Sequence, residues 1–148
     1  MSEFVVYHVG YRSGWTPRRL AAEIAGRGLD LFDIRFAPGR PGAVWSRENL
    51  SRLLGGRYRW AGDMLGNRNY RGGGPIELVD ATTGIMVLGS LLRGGYTPVL
   101  MCACSDYSSC HRQLVVELLS AEVGGSGTMR VVELTPTIEE MDGGLFGG

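Results

Sequence analysis

No lysine occurs anywhere in the 148 residues, so all 15 cations are arginines. That excludes ammonium contacts and leaves only planar guanidinium forks, which suit two-pronged recognition of phosphate or carboxylate. Long apolar runs are also missing, and with them any stretch able to cross a bilayer as a helix. The opening Met-Ser-Glu-Phe-Val-Val-Tyr has neither the basic start nor the extended apolar segment of a secretory signal. A cytoplasmic protein with reduced cysteines is the expectation. Net charge is absent too, because 15 acids balance the arginines. A neutral chain makes a poor general adhesive for duplex nucleic acid. Histidine and cysteine are scarce, at two and three residues, and no internal repeat is visible.

What is present is unevenly placed. Residues 12–71 hold twelve Arg against five acids, and residues 72–148 hold three Arg against nine. Base-composition bias in the coding DNA is the plainer reading of arginine in place of lysine, but the clustering need not follow from it. A chain of this length and composition, 44% hydrophobic and 20% charged, buries a single core.

Along that chain, strand and helix patterns alternate. Phe4–Val9 reads as a buried strand, followed by a helix with Thr16 as cap, Pro17 in its first turn, and Leu20, Ala21, Ile24 and Ala25 on one face. Asp30–Arg35 reads as a second strand, which makes a right-handed βαβ unit of the first three elements. Pro38, Gly39, Pro41 and Gly42 mark a loop, Ser46 caps a helix carrying Leu50, Leu53 and Leu54, and Arg57–Trp60 reads as a short strand. Residues 62–75 read as a glycine-rich surface loop. Asp80 then caps a helix with Ile85, Leu88, Leu91 and Leu92 inward, and Thr97–Cys102 is a buried strand. A helix from Cys110 to about Glu122 follows, with Leu114, Val115, Leu118 and Leu119 inward, before a last strand at Met129–Leu134. The pattern predicts one α/β domain over residues 1–136, a three-layer α/β/α sandwich on a mostly parallel sheet of about five strands. Residues 137–148 form an acidic, glycine-rich tail expected to be disordered or partner-bound.

Ligands of such sheets sit beyond the carboxyl ends of the strands. That rule gathers Tyr11 and Arg12, Asp33 and Arg35, and the loop Cys102–Arg112 at one edge. Asp33 and Arg35 alternate on a strand, so the acid can serve as a base or pair with the arginine, while Arg35 holds an anion or closes a structural ion pair. Asn67 and Arg68, in the basic glycine-rich loop, can close over a ligand. Trp15, Trp45, Trp60, Tyr58 and Tyr70 offer planes for stacking a base, or simply packing.

The stretch Cys102-Ala-Cys-Ser-Asp-Tyr-Ser-Ser-Cys-His-Arg112 holds every cysteine of the chain. With Ser108 or Ser109 as cap, Cys110, His111 and Arg112 occupy a first helical turn, where free N–H groups favour an anion and a thiolate. Cys110 is then a nucleophile or a small buried hydrophobe, and Arg112 an anion ligand. Cys102, Cys104, Cys110 and His111 could bind zinc, although their spacing is not a standard zinc pattern and adjacent Cys110 and His111 should diverge on a helix. A Cys-x5-Arg phosphatase loop is absent, since Asp106 stands six residues before Arg112. A Cys104–Cys110 disulfide would run against a reducing compartment.

These motifs resemble the family called domain of unknown function 488. The resemblance spans about Val6 to Leu119. It rests on Gly10-Tyr11, Asp33-Ile-Arg35 with Pro38, Leu65-Gly66, and Cys102-Ala103 followed at an eight-residue offset by Cys110-His111-Arg112. It implies the α/β fold and the location of the site, without a reaction. Two positions depart from the family pattern: Cys104 stands where a Glu is usual, and Leu65-Gly66-Asn67-Arg68 replaces Leu-Gly-Gly-Arg.

The leading expectation is an enzyme-like pocket for a phosphorylated ligand, a nucleotide or nucleic-acid component, with possible hydrolase or transferase chemistry. Asp33 or Cys110 supplies the chemistry, and Tyr11, Arg12, Arg35, Asn67, Arg68, Cys102, His111 and Arg112 bind. No cofactor, metal or membrane is called for, and nothing indicates an oligomeric state. A non-catalytic nucleotide- or nucleic-acid-binding module is the alternative. A thiol-redox or zinc protein is the third.

Overall fold

The computed structural model describes residues 2–40 and 42–136. The expectations for Pro41 and the tail at 137–148 therefore lie outside the described residues. Among the described residues ten strands and α-helices follow in order: β1 Ser2–Gly10, α1 Pro17–Gly26, β2 Asp30–Asp33, α2 Arg47–Leu54, β3 Tyr58–Trp60, α3 Gly62–Leu65, α4 Ala81–Arg93, β4 Pro98–Cys102, α5 His111–Val123 and β5 Gly127–Glu133. Three of the caps read from the sequence are in place. Thr16, Ser46 and Asp80 accept from the backbone N–H three residues on, satisfying donors that a helix start leaves free.

The five strands form one parallel sheet in the order β3-β2-β4-β1-β5. β1 and β2 are parallel, as expected, but β4 lies between them, so they are not neighbours. The period-2 alternation of β4 splits its side chains between two cores. Leu100 and Cys102 join Phe4, Val6, Ile85, Leu88, Val115 and Leu119 under α4 and α5. Val99 and Met101 join Val9, Leu20, Ile24, Leu50 and Leu54 under α1 and α2. Helices therefore cover both faces, which makes three layers. Among the described residues no helix is long and apolar enough to cross a membrane.

Several local expectations need correction. The segment at 62–75 is not all surface loop: α3 buries Gly62 and Leu65 before the chain emerges. Gly62 is required there, since a Cβ would stand 1.9 Å from the Arg35 carbonyl oxygen. β2 stops at Asp33, because Arg35 turns back on it (below). On α5 the inward positions are Arg112, Val115, Val116, Leu119 and Val123, while Leu118 is exposed and Leu114 half-buried. The buried stripe follows the i, i+3, i+4, i+7 spacing from Arg112, and Leu118 falls outside it. Ala25 is likewise exposed at the end of α1.

Candidate functional site

Because every strand runs the same way, their carboxyl ends share one edge. Gly10 pairs with Cys102, and Asp33 with both Met101 and Trp60. Beyond the strands, Tyr11 N–H donates to the Cys102 carbonyl (3.0 Å) and Arg12 N–H to that of Ala103 (3.3 Å). Gly10 is obligatory at this crossing: a Cβ would lie 1.6 Å from the Cys104 carbonyl oxygen and 2.9 Å from Arg112 Nη2.

Arg112 is the centre of the buried edge. It is completely inaccessible to solvent. Its Nη1 donates to His8 Nδ1 (2.8 Å), its Nη2 to the Cys104 carbonyl (2.9 Å), and its Nε to Cys110 Sγ (3.5 Å). His8 is neutral: burial and then the Arg112 charge lower its pKa to about 4. Among the described residues the nearest carboxylate oxygen to the guanidinium is Glu133 Oε2, 4.0 Å away on a side chain 41% exposed. A buried guanidinium without a close anion is expensive. The Cys110 thiolate supplies that anion.

Cys110 is itself the cap of α5, with φ −98° and ψ 148°. The cap is therefore neither Ser108 nor Ser109, which lie in a 3₁₀ turn at Tyr107–Ser109. Its sulfur accepts from Arg112 N–H (3.5 Å), lies 2.7 Å from Cys102 Sγ, and lies 3.8 Å from His111 Nδ1. The bond from Cys102, then those from His111 and Arg112, lower the Cys110 pKa to about 3 against the opposing effect of burial. Cys102 moves the other way, raised by its bonds with Cys104 and Cys110 and by burial, so the proton of the pair stays on Cys102. Cys104, exposed, is lowered to about 7, chiefly by Cys102.

His111 completes the arrangement. Its Nε2–H donates to the Ile34 carbonyl (2.7 Å), which aims Nδ1 at Cys110. Burial opposes its protonation, but the bonds to Cys110 and Ile34 outweigh burial and raise its pKa. Cys110 and His111 thus converge, because an extended cap residue does not follow helical directions. Cys102, Cys110 and His111 place their ligand atoms within 4.8 Å of one another, enough for a soft metal ion. The Arg112 guanidinium, donating to Cys110 Sγ, opposes a cation in that place.

Of the two roles open to Asp33, base or partner of Arg35, it takes the second. It is fully buried; Oδ1 accepts from Arg35 N–H (3.1 Å) and Nε (2.8 Å), and Oδ2 from Arg35 Nη2 (2.7 Å) and the Tyr58 hydroxyl. Burial and then Asp33 push the Tyr58 hydroxyl far above its ordinary pKa, so it remains a donor. Asp33 orients Arg35.

A cavity of about 630 Å³ opens over this edge, lined among others by Tyr11, Arg12, Arg35, Asn67, Cys102, Cys110 and His111. Tyr11 stacks on Trp45 at 4.2 Å, and the Arg35 guanidinium lies 5.5 Å from the Tyr11 ring. Phe36 and Tyr70 form a second aromatic pair on the lining, 5.8 Å apart. Asn67 holds its own loop, its Oδ1 accepting from the N–H groups of Asn69 and Glu77 (both 3.0 Å). Three expected site residues do not reach the cavity. Arg112 and Asp33 are buried, and Arg68 donates to the Val79 carbonyl (3.3 Å). Trp15, Tyr58 and Trp60 also pack elsewhere. Ser109, expected as a helix cap within the Cys102–Arg112 loop, instead lines the cavity, and Phe36 lines it marked only by following Arg35. No family model, curated protein or solved structure matches the chain.

Proposed function

We propose that the cavity binds a phosphorylated ligand with a planar base, a nucleotide or nucleic-acid component, and that the Cys110 thiolate is the nucleophile of a hydrolase or transferase reaction. The observation that carries this is the shared wall: Arg12 and Arg35 beside the Tyr11–Trp45 stack, with Cys110 and His111 bordering the same space. Guanidinium forks suit phosphate, aromatic planes suit a base, and the volume is that of a small-molecule site. In the first step Cys110 sulfur bonds to an electrophilic phosphorus or carbon of the ligand while the bond to the leaving oxygen breaks. The leaving oxygen takes the Nδ1 proton of His111. Water, or an acceptor hydroxyl, then returns that proton to His111 and displaces the sulfur, restoring the thiolate. Membership in the family called domain of unknown function 488 belongs to the same proposal, resting on Cys102 with Cys110-His111-Arg112. So does a cytoplasmic setting, whose reducing conditions keep the thiolate available.

One observation favours binding without turnover: Cys110 is only 2% exposed. Calorimetric titration with nucleoside monophosphates, the matching nucleosides and ribose phosphate tests both readings. The nucleotides should bind most tightly, and Arg12→Ala, which removes an exposed cation, should weaken them by about 10- to 100-fold, the worth of a charged hydrogen bond. If no nucleotide binds, or Arg12→Ala changes nothing, the proposal fails. Product formed by wild type and lost in Cys110→Ser separates catalysis from sequestration.

A further inference from the structure

We propose that Cys102 and Cys110 form a redox-active pair, in which a hydroperoxide oxidises the Cys110 thiolate and Cys102 then closes a reversible disulfide on it. The pair stands whatever the cavity binds. Both residues are 2% exposed, and both border the cavity, so a small oxidant reaches sulfur that a bulky reagent does not. Their sulfurs are already 2.7 Å apart, against about 2.05 Å in a disulfide. Cys102 ends β4 and Cys110 caps α5, two positions packed in one core cluster, so closure needs only a short side-chain shift.

The chemistry balances with two external reactants. Cys110 sulfur attacks the terminal oxygen of the hydroperoxide; the S–O bond forms as the O–O bond breaks, and the departing alkoxide leaves as the alcohol with the His111 Nδ1 proton. Cys110 is now a sulfenic acid. Cys102 sulfur gives up its proton and attacks Cys110 sulfur; the S–S bond forms, and hydroxide leaves with that proton as water. The pair has lost two electrons to the peroxide. Two electrons and two protons from an external dithiol reopen the bond.

Three features assign the partners and the character of the bond. Cys102 Sγ lies 2.7 Å from Cys110 Sγ, whereas Cys104 is exposed. The Arg112 guanidinium beside Cys110 Sγ favours an anion over a metal ion. The same guanidinium stabilises the reduced state, because a disulfide would leave it without its thiolate; the bond is therefore readily reduced, a regulatory rather than a structural one. Forming it also withdraws the nucleophile from the cavity.

The test uses the full chain with limiting hydrogen peroxide, followed by alkylation of free thiols and non-reducing peptide mapping. All three cysteines fall between Arg93 and Arg112, so one tryptic peptide reports them together. Wild type and Cys104→Ser should lose two hydrogens across Cys102 and Cys110, and dithiothreitol should restore them. Cys102→Ser should stop at a Cys110 sulfenic acid trapped by dimedone. Oxidation should be about ten-fold or more faster in Cys104→Ser than in Cys110→Ser. A Cys104–Cys110 bond, dimedone on Cys104 alone, or stoichiometric zinc that blocks oxidation of the purified protein would each overturn the proposal. Because Cys104 is exposed, the Cys104→Ser protein keeps the test free of a folding defect.

Discussion

Replacing Arg112 with methionine, a side chain of similar length without charge or donors, should cost the fold about 3–5 kcal/mol, the range for removing one partner of a buried ion pair. The structure supplies the parts of that figure. His8 Nδ1 and the Cys104 carbonyl each lose a donor, and an unsatisfied buried acceptor costs about 1–3 kcal/mol. Cys110 loses one of the groups that hold it ionised, after Cys102 and His111, so its thiolate is less favoured. For a chain of this size the melting temperature should fall by about 6–20 °C. Urea denaturation at neutral pH reads the stability, and ultraviolet absorbance of the thiolate against pH reads the second effect: the Cys110 titration should move up from near 3 toward the ordinary thiol value. The double variant Arg112→Met with Cys110→Ser should lose less than the two single variants added, by about 0.5–3 kcal/mol. An Arg112→Met protein within about 0.5 kcal/mol of wild type, with an unmoved thiol titration, would refute the counter-ion argument.

Acid should destabilise the protein through His8. Its folded pKa, about 4, lies below the unfolded 6.5, so the stability it confers is complete above 6.5 and is lost as pH falls through 4. That amounts to about 3 kcal/mol. His8→Asn, whose side-chain oxygen can still accept from Arg112, should flatten this part of the urea-stability profile relative to wild type; parallel profiles would show that His8 does not stay neutral. Gly10→Ala forces a Cβ against a backbone oxygen and should cost at least about 1–3 kcal/mol, whereas Gly56→Ala, with open space around it, should stay within about 0.5 kcal/mol of wild type. Equal effects in a urea comparison would mean that the loop after β4 does not press on β1.

What the sequence determined by itself is what neighbouring residues decide. Thr16, Ser46 and Asp80 announce their helices because a cap bonds three residues along. The unbroken apolar run of β4 announces a strand buried on both faces, and alternating element types announce the parallel sheet, so the edge that gathers Tyr11, Arg35, Cys102 and His111 is legible in the sequence. Tertiary structure alone decided how those residues are spent. Strand order is a matter of long-range pairing, and it inserted β4 between β1 and β2. Arg112 read as an anion ligand, yet His8, 104 residues away, arrives from β1 and makes the guanidinium an interior group. Asp33 read as a base or as the partner of Arg35, and Tyr58, 25 residues on, closes its last acceptor. The sulfurs of Cys102 and Cys110 meet because an extended cap residue turns its sulfur back toward the strand end. A buried charge or thiol takes its role from whichever partners the fold brings within bonding distance, and no local pattern records who those partners are.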